Sequence, residues 1–177
     1  MRWSSAAFSS GALFFYISSS SFVFQDIYGL TSTEYSLIFA ANAVGLMGMG
    51  WLNAHLVRTH EPSVLLRWGV VQGAVGALAL CVVLWLDLGL PGVLPALMAT
   101  VLSLPFVVPN ATALALSPYG REAGTVSALL GVLQFAVGAL ASPLAGVAGE
   151  VTAFSMAFGM LIMAVLALGT RRILVPT

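Results

Sequence analysis

Asp26 is the acidic side chain that is placed to act within a membrane, because it directly follows a long apolar run. Charge at bilayer depth is costly, so an ionisable residue there is by default a candidate for carrying a proton or binding a ligand. The alternative is that Asp26 lies in a water-exposed turn outside the membrane. We take Asp26 as the candidate proton carrier and keep both interpretations open.

Isolated amide and hydroxyl groups within the apolar runs form a second set of candidates. An amide in hydrocarbon is costly unless it is hydrogen-bonded or hydrated, so Asn42 is expected to face other helices or a cavity. Ser18, Ser21 and Gln25 fall on one helical face, and these hydroxyls either line a polar path or bond back to backbone carbonyls. A stripe of small and polar residues at helical spacing predicts either a packing seam or a face toward a water-filled cavity: Gly124, Ser127, Gly131, Gln134, Gly138, Ser142 and Gly146.

The sequence predicts no enzyme and no metal or cofactor site. No pair of carboxylates lies within the apolar runs, and no His-Glu-x-x-His motif occurs. His55 and His60 both lie in a polar hairpin, so no base is placed beside a membrane-embedded serine. Cys81 is the only cysteine, which excludes a disulfide within the chain and a thiolate pair for a metal. We expect no nucleic-acid partner.

The composition is that of an integral membrane protein. Apolar residues make up 60% of the chain and charged residues 7%, with a mean hydropathy of +1.04, whereas about a quarter of the residues of a soluble domain are charged. Several apolar runs reach the roughly 20 residues that a helix needs to cross a bilayer. We predict a single all-α membrane domain, residues 1–177, with six spans at about 3–24, 35–56, 65–86, 94–116, 125–148 and 151–169.

Local signals mark several helix ends and one interruption. Thr31 and Glu34 have the spacing of a capping box at the start of the second span. Pro62 suits the first turn of the third span. Pro105 and Pro109 are predicted to interrupt the fourth span, as in membrane helices that break where the backbone lines a cavity.

The arginines predict the orientation of the spans, because short arginine-rich loops stay on the cytoplasmic side of a bilayer. Arg58 and Arg67 lie in one short hairpin. All the basic residues fall on the same side of the six-span arrangement: Arg2, Arg58, Arg67, Arg121, Arg171 and Arg172. The opposite turns carry only acids: Asp26, Glu34, Asp87 and Glu150. We predict a multi-pass protein with both termini in the cytoplasm.

Two stretches, residues 16–58 (YISSSSFVFQDIYGLTSTEYSLIFAANAVGLMGMGWLNAHLVR) and 121–146 (REAGTVSALLGVLQFAVGALASPLAG), carry a resemblance to a known family. They resemble the seventh and eighth helices and the eleventh helix, respectively, of major facilitator superfamily drug-resistance transporters of the Bcr/CflA type. The resemblance covers nearly the whole chain. In the first stretch it rests on the order of Tyr16, Phe22, Gln25, Tyr28-Gly29-Leu30, Asn42, Asn53 and Arg58.

The resemblance implies the C-terminal six-helix half of that fold, in the cytoplasmic (inner) membrane of a bacterium. It implies secondary active export of small apolar drugs, coupled to proton entry by alternating access. The family's usual membrane-embedded acid belongs to the helices that are missing here, so Asp26 is the proton-coupling candidate on its position in this sequence alone. Asn53, Arg58 and Arg67 would serve gating as well as topology. The candidates for the wall of the substrate cavity are Tyr16, Ser18, Ser21, Gln25, Asn42, Asn110 and Gln134.

The family's first six helices have no counterpart in this sequence. A central cavity would therefore need a partner, either the N-terminal half of a longer protein, which we favour, or a second copy of the chain. The main alternative is a non-transporting scaffold or assembly subunit that uses its small-residue faces to bind partner helices. Convergence of four amides on one cavity would favour the transporter, and dispersal into separate helix contacts the scaffold: Gln25, Asn42, Asn110 and Gln134.

Overall fold

The computed structural model describes residues 3–147 and 152–172, and side chains within 6–120, 122–140 and 152–169. All regular structure in these ranges is helical. The helices are α1 (Trp3–Phe22), α2 (Ser32–Leu56), α3 (Pro62–Trp85), α4 (Gly89–Val101), α5 (Leu104–Leu116), α6 (Ala123–Val147) and α7 (Ala153–Arg172). A π-helical turn, Val23–Ile27, extends α1, and a 3₁₀ turn, Gly120–Glu122, precedes α6.

Five helical segments of the described chain are long and apolar enough to cross a membrane: Ala6–Ile27, Ser32–Leu56, Pro62–Trp85, Gly89–Leu116 and Ala123–Leu140. The apolar part of α7, Ala153–Gly169, is shorter than the roughly 20 residues that a bilayer requires. The all-α membrane class is confirmed. Five to six apolar helices are consistent with one half of a major facilitator fold.

The start of α2 is fixed by the predicted capping box. The Glu34 N–H donates to Thr31 Oγ1 at 3.3 Å, and the Glu34 carboxylate accepts from the Thr31 N–H at 2.8 Å. Two backbone donors that a helix start leaves unpaired are thereby satisfied. Pro62 is the first residue of α3, where its missing N–H costs nothing, so both local predictions are confirmed.

The fourth predicted span consists of two helices that are separated at Leu102 and Ser103. Pro105 has no N–H to donate to the Val101 carbonyl, so the hydrogen-bond ladder cannot continue across this point. The prediction that both prolines interrupt the span is wrong for Pro109, which lies inside α5 without ending it. A proline within the helix forfeits only its own hydrogen bond when the rest of the ladder is held by packing.

Closely packed glycines on α3 hold the break between α4 and α5. A Cβ at Gly76 would lie 2.6 Å from the backbone nitrogen of Thr100, so only glycine permits this approach. Gln72, on the same helix, donates from Nε2 to the Ala99 carbonyl at 3.2 Å. That carbonyl lies where the break removes the regular backbone donors, and the α3 side chain replaces one of them.

The helices are unequally buried within the bundle. α1 packs against α5, α6 and α7, while α3 packs against α4, α5 and α7. Within the most apolar 18-residue stretch of each span, 56% of α1 is buried, but only 11% of α2 and 11% of α6. α2 and α6 therefore present most of their surface outward from this lobe.

The turns at the two ends of the bundle carry different charges. Arg58 and Arg67 lie at the α2–α3 hairpin, whereas Asp26 and Asp87 lie in the α1–α2 and α3–α4 turns. Burial raises the pKa of the Tyr28 hydroxyl, and the nearby Asp87 carboxylate raises it further, so these two turns share one end of the bundle. Arg2 and Glu150 lie outside the described residues, as do the side chains of Arg121, Arg171 and Arg172.

Candidate functional site

α2 is attached to the bundle through two buried amides. Asn42 and Asn53 are its only buried residues, at 3% and 6% exposure. Asn42 donates from Nδ2 to the Tyr16 hydroxyl on α1 at 3.1 Å. Asn53 accepts at Oδ1 from Asn110 Nδ2 on α5 at 2.7 Å. These two hydrogen bonds act together with the apolar side chains of α2 that pack against the core.

Aromatic rings surround the first of these contacts. The rings of Tyr16 and Phe39 stack with centroids 6.2 Å apart and an interplanar angle of 13°. Tyr35 lies with its ring centroid 6.2 Å from those of both Phe24 and Phe39. The Tyr35 hydroxyl is 3.0 Å from Ser20 Oγ. The α1–α2 seam is therefore aromatic, with hydroxyl and amide groups and no charge.

Two buried side-chain polar atoms of the described chain have no hydrogen-bond partner, Asn42 Oδ1 and Ser19 Oγ. With one end of the Asn42 amide bonded to Tyr16, the other end is left without a partner whichever way the amide is turned. An unsatisfied buried acceptor costs about 1–3 kcal/mol. Such groups in a folded protein call for an explanation. A bound ligand or a second conformation that supplies the missing partner would be an explanation.

A polar face of α1 is exposed between α2 and α6. We call it the open α1 face, defined by Ser18, Ser21 and Gln25. Gln25 donates from Nε2 to Ser21 Oγ at 2.8 Å and accepts from Ser32 Oγ at 3.0 Å. Ser18 Oγ bonds back to the Phe15 carbonyl at 3.2 Å. Back-bonding thus applies to Ser18, while Ser21 and Gln25 bond to other side chains.

The open α1 face is bounded by contacts with both weakly buried helices. On one side Gln25 accepts a hydrogen bond from Ser32 at the start of α2. On the other side Phe14 packs edge-on against Phe135 of α6, with ring centroids 5.8 Å apart. A Cβ at Gly138 of α6 would collide with the Phe14 ring, which keeps α6 close to α1 at this level. The three helices together form an exposed wall with polar groups along its centre.

Asp26 lies in the π-helical turn that ends the first span, with its side chain exposed. The turn is closed by a bond from the Tyr28 N–H to the Val23 carbonyl at 3.1 Å. Asp26 forms no ion pair with any described residue. π-helical turns occur often at functional sites, and the sequence analysis did not predict this one. The exposed interpretation of Asp26 fits this placement, and its role as a proton carrier stays a prediction.

The predicted gating residues lie at the opposite end of the bundle. Arg58 and Arg67 are exposed around the α2–α3 hairpin, and neither pairs with an acid in the described part of the chain. Asn53, one turn before the hairpin, is instead buried in its bond to Asn110. A cavity candidate and a gating candidate are thus direct partners.

The stripe on α6 is only partly a packing seam. Gly138 packs tightly against α1, whereas a Cβ at Gly124 or Gly131 would meet open space. Gln134 is half-buried and makes no hydrogen bond with a described residue. The C-terminal part of the stripe, Ser142 and Gly146, lies outside the described side chains.

The predicted polar residues do not converge on one cavity within this lobe. Asn42 pairs with Tyr16, Asn110 pairs with Asn53, and Gln25 joins the start of α2. Gln134 lies apart on α6. The cavity beside the break between α4 and α5 is lined by none of these amides. Dispersal into separate helix contacts is the arrangement expected of the scaffold alternative, so these four amides do not themselves support the transporter.

Two curated proteins are similar to the chain. The uncharacterized MFS-type transporter YdgK of Bacillus subtilis is 28% identical over 156 residues, and a bicyclomycin resistance protein homolog of Haemophilus influenzae is 30% identical over 155 residues. Each match covers 88% of this chain and 39% of the relative, so the chain spans about two fifths of the length of the proteins that it matches. No family model matches the chain, and no solved structure matches it significantly.

These similarities confirm the resemblance to major facilitator drug-resistance transporters that the sequence indicated. Their partial coverage agrees with a half of such a protein. Both relatives carry transport or resistance names, and neither is described as an enzyme.

Proposed function

We propose that the chain forms the C-terminal half of a secondary active transporter that exports small, mostly apolar drugs in exchange for protons by alternating access. The observation that carries the proposal is the open α1 face, an uncharged polar strip on the surface of a membrane helix, beside the weakly buried helices α2 and α6. Polar groups exposed at bilayer depth are expensive unless they border a water-filled path or a partner.

The proposal assigns the open α1 face and its neighbours to the wall of the substrate cavity. No charged side chain lies in residues 6–25 or 35–53, so this wall suits neutral or mostly apolar molecules. Ligand sites of this kind combine aromatic surface with a few polar groups that fix orientation. The exposed Phe39 ring supplies the first and Gln25 supplies the second, while Tyr16 and Asn42 are buried beneath this surface and support it.

The proposed partner of the lobe is an N-terminal six-helix half. α2 and α6 leave most of their surface uncovered by this chain, and the relatives are about two and a half times as long as the matched region. The chain pairs either with the remainder of a longer protein or with a second copy. Both arrangements place the protein in a bacterial inner membrane, with the arginine-bearing end in the cytoplasm.

The experiment is an efflux assay in cells that lack their main drug pump. Accumulation of a fluorescent drug is measured with the chain alone and with the chain co-expressed beside its upstream coding region, each with and without a protonophore. We expect export only with the upstream region, and its loss with the protonophore. Export by the chain alone would instead support a self-pairing half. Absence of export in both cases would contradict the transport proposal.

The same assay tests Asp26 as the proton-coupling group. Asp26→Asn is expected to remove most of the protonophore-sensitive export, because the amide cannot release a proton. Asp87→Asn is the matched control, an exposed acid at the same end of the bundle, and is expected to leave export unchanged. Equal export by Asp26→Asn and the unsubstituted protein would exclude Asp26 from coupling while leaving the transport proposal intact.

A further inference from the structure

A small cavity lies inside the lobe beside the break between α4 and α5. Its volume is about 20 Å³, and its lining includes Ser9 of α1, Gly73 of α3, Met160 of α7, and Thr100 and Ser103 at the break. A cavity needs roughly 10–15 Å³ of space for the centre of a water-sized sphere if it is to hold a water molecule, and the 20 Å³ is a volume of this kind. The space therefore admits a guest of that size.

The hydroxyls at the break present acceptors toward this region and no free donors. Ser103 Oγ donates its hydrogen to the Thr100 carbonyl at 2.6 Å, and Thr100 Oγ1 donates to the Ala96 carbonyl at 3.0 Å. Both oxygens keep lone pairs that can accept. The Val101 carbonyl is a further acceptor, because Pro105 has no N–H to give it.

Ser9 supplies the complementary group. Its hydroxyl is half-buried and forms no hydrogen bond with a described residue, although serine hydroxyls in membrane helices commonly bond back to a carbonyl. It can therefore donate into the cavity. A guest that matches the acceptors at the break and the Ser9 donor gives two hydrogen bonds and accepts one.

The surrounding charge selects a neutral guest. None of the helices that line the cavity, which are α1, α3, α4, α5 and α7, carries an acidic residue. A cation would lack the carboxylate that usually offsets its dehydration, whereas a water molecule needs only two to four polar partners.

We propose that this cavity holds one ordered water molecule, which accepts from Ser9 and donates to the acceptors at the break, including Ser103 Oγ. The water completes the hydrogen bonding of a helix that is interrupted at membrane depth, where unsatisfied backbone groups are not tolerated. The bend between α4 and α5 is in this view a hydrated element of the lobe rather than a dry kink.

X-ray radiolytic footprinting of the full chain in membranes tests the proposal, since a bound water generates hydroxyl radicals that oxidise its immediate neighbours. Met160 and Met156 are both 0% exposed, and only Met160 lines the cavity. We expect Met160 to be oxidised at least about fivefold faster than Met156, the internal control. Equal slow oxidation of the two would overturn the proposal.

Two serine variants distinguish oxidation of Met160 by a bound water from oxidation by radicals that enter the lobe from outside. Ser9→Ala removes the donor to the water and is expected to lower Met160 oxidation to the Met156 rate. Ser10→Ala is the matched control, because Ser10 is a neighbouring buried serine that does not line the cavity; it is expected to leave the difference intact. An unchanged Met160 rate in Ser9→Ala would also overturn the proposal.

Discussion

The substitution Asn110→Leu is expected to lower the free energy of unfolding by about 2 kcal/mol, because it leaves the buried Asn53 oxygen without a donor. Asn110 and Asn53 are 2% and 6% exposed and are joined by a 2.7 Å hydrogen bond. Without Asn110 Nδ2, the Asn53 oxygen stays in the α2–α5 seam with no donor. The measurement is reversible unfolding of the lobe in bicelles by titration with a denaturing detergent.

The two asparagines are not expected to be equivalent. Asn110 Nδ2 also donates to the Phe106 carbonyl at 2.8 Å, so Asn53→Leu leaves Asn110 with an acceptor and costs less than Asn110→Leu. The double variant is expected to cost less than the sum of the single variants, with a coupling of about 0.6–1.7 kcal/mol, as measured for other membrane helix pairs. Ala113→Leu, on the exposed face of α5, is the control. A cost for Asn110→Leu no larger than that of Ala113→Leu would contradict the role of this bond in holding α2.

The substitution Arg58→Lys is expected to slow drug export about tenfold or more while the orientation of the protein stays unchanged. Lysine keeps the positive charge that sets topology, but it lacks the planar group that makes paired hydrogen bonds. Arg58 has no acidic partner in the described part of this chain, so the bond at stake is one to the proposed N-terminal half. Loss of one charge-assisted hydrogen bond costs about 1.5–3 kcal/mol, and each 1.36 kcal/mol corresponds to a factor of about ten in rate. The measurement is the initial export rate of the paired transporter, with hairpin accessibility to report orientation.

Arg121→Lys provides the comparison for Arg58, because it replaces an arginine predicted to lie on the same side of the membrane. It is expected to leave the export rate within about twofold of the unsubstituted protein, since its predicted role is topology, which lysine also serves. Normal export by Arg58→Lys would show that Arg58 serves topology alone and would remove it from gating.

Features that depend on a few adjacent residues were predicted well from the sequence. The capping box of Thr31 and Glu34 and the position of Pro62 depend on local backbone geometry, which the sequence contains directly. The membrane class follows in the same way from the length and polarity of the apolar runs.

Features set by distant packing were not predicted. The sequence identified Asn42 and Tyr16 as separate candidates, but their bond joins residues 26 positions apart. The bond between Asn53 and Asn110 spans 57 positions and joins residues that had been assigned different roles. The sequence predicts that Asn42 faces other helices, but it does not specify which helix each buried amide of α2 contacts.

The backbone irregularities show the same limit. Pro105 and Pro109 both lie in the fourth predicted span, yet only Pro105 lies at a break. At that break the glycines of α3 pack closely against the interrupted backbone. The π-helical turn that carries Asp26 has no sequence signature of its own. It lies where Val23 and Phe24 are both fully buried in the core, so packing of these two side chains accompanies the change in the helix.

The central claim is that the open α1 face borders the drug path, and substrate protection of a cysteine at Ser18 tests it most directly. The variant is Ser18→Cys in a Cys81→Ala background, paired with its upstream half, and the control is Val75→Cys on α3, which is 61% exposed on an apolar face. We expect a water-soluble maleimide to label position 18 and not position 75, and an exported drug to slow that labelling. A cysteine at position 18 that is as unreactive as the one at 75, or is labelled equally fast with and without drug, would contradict the account.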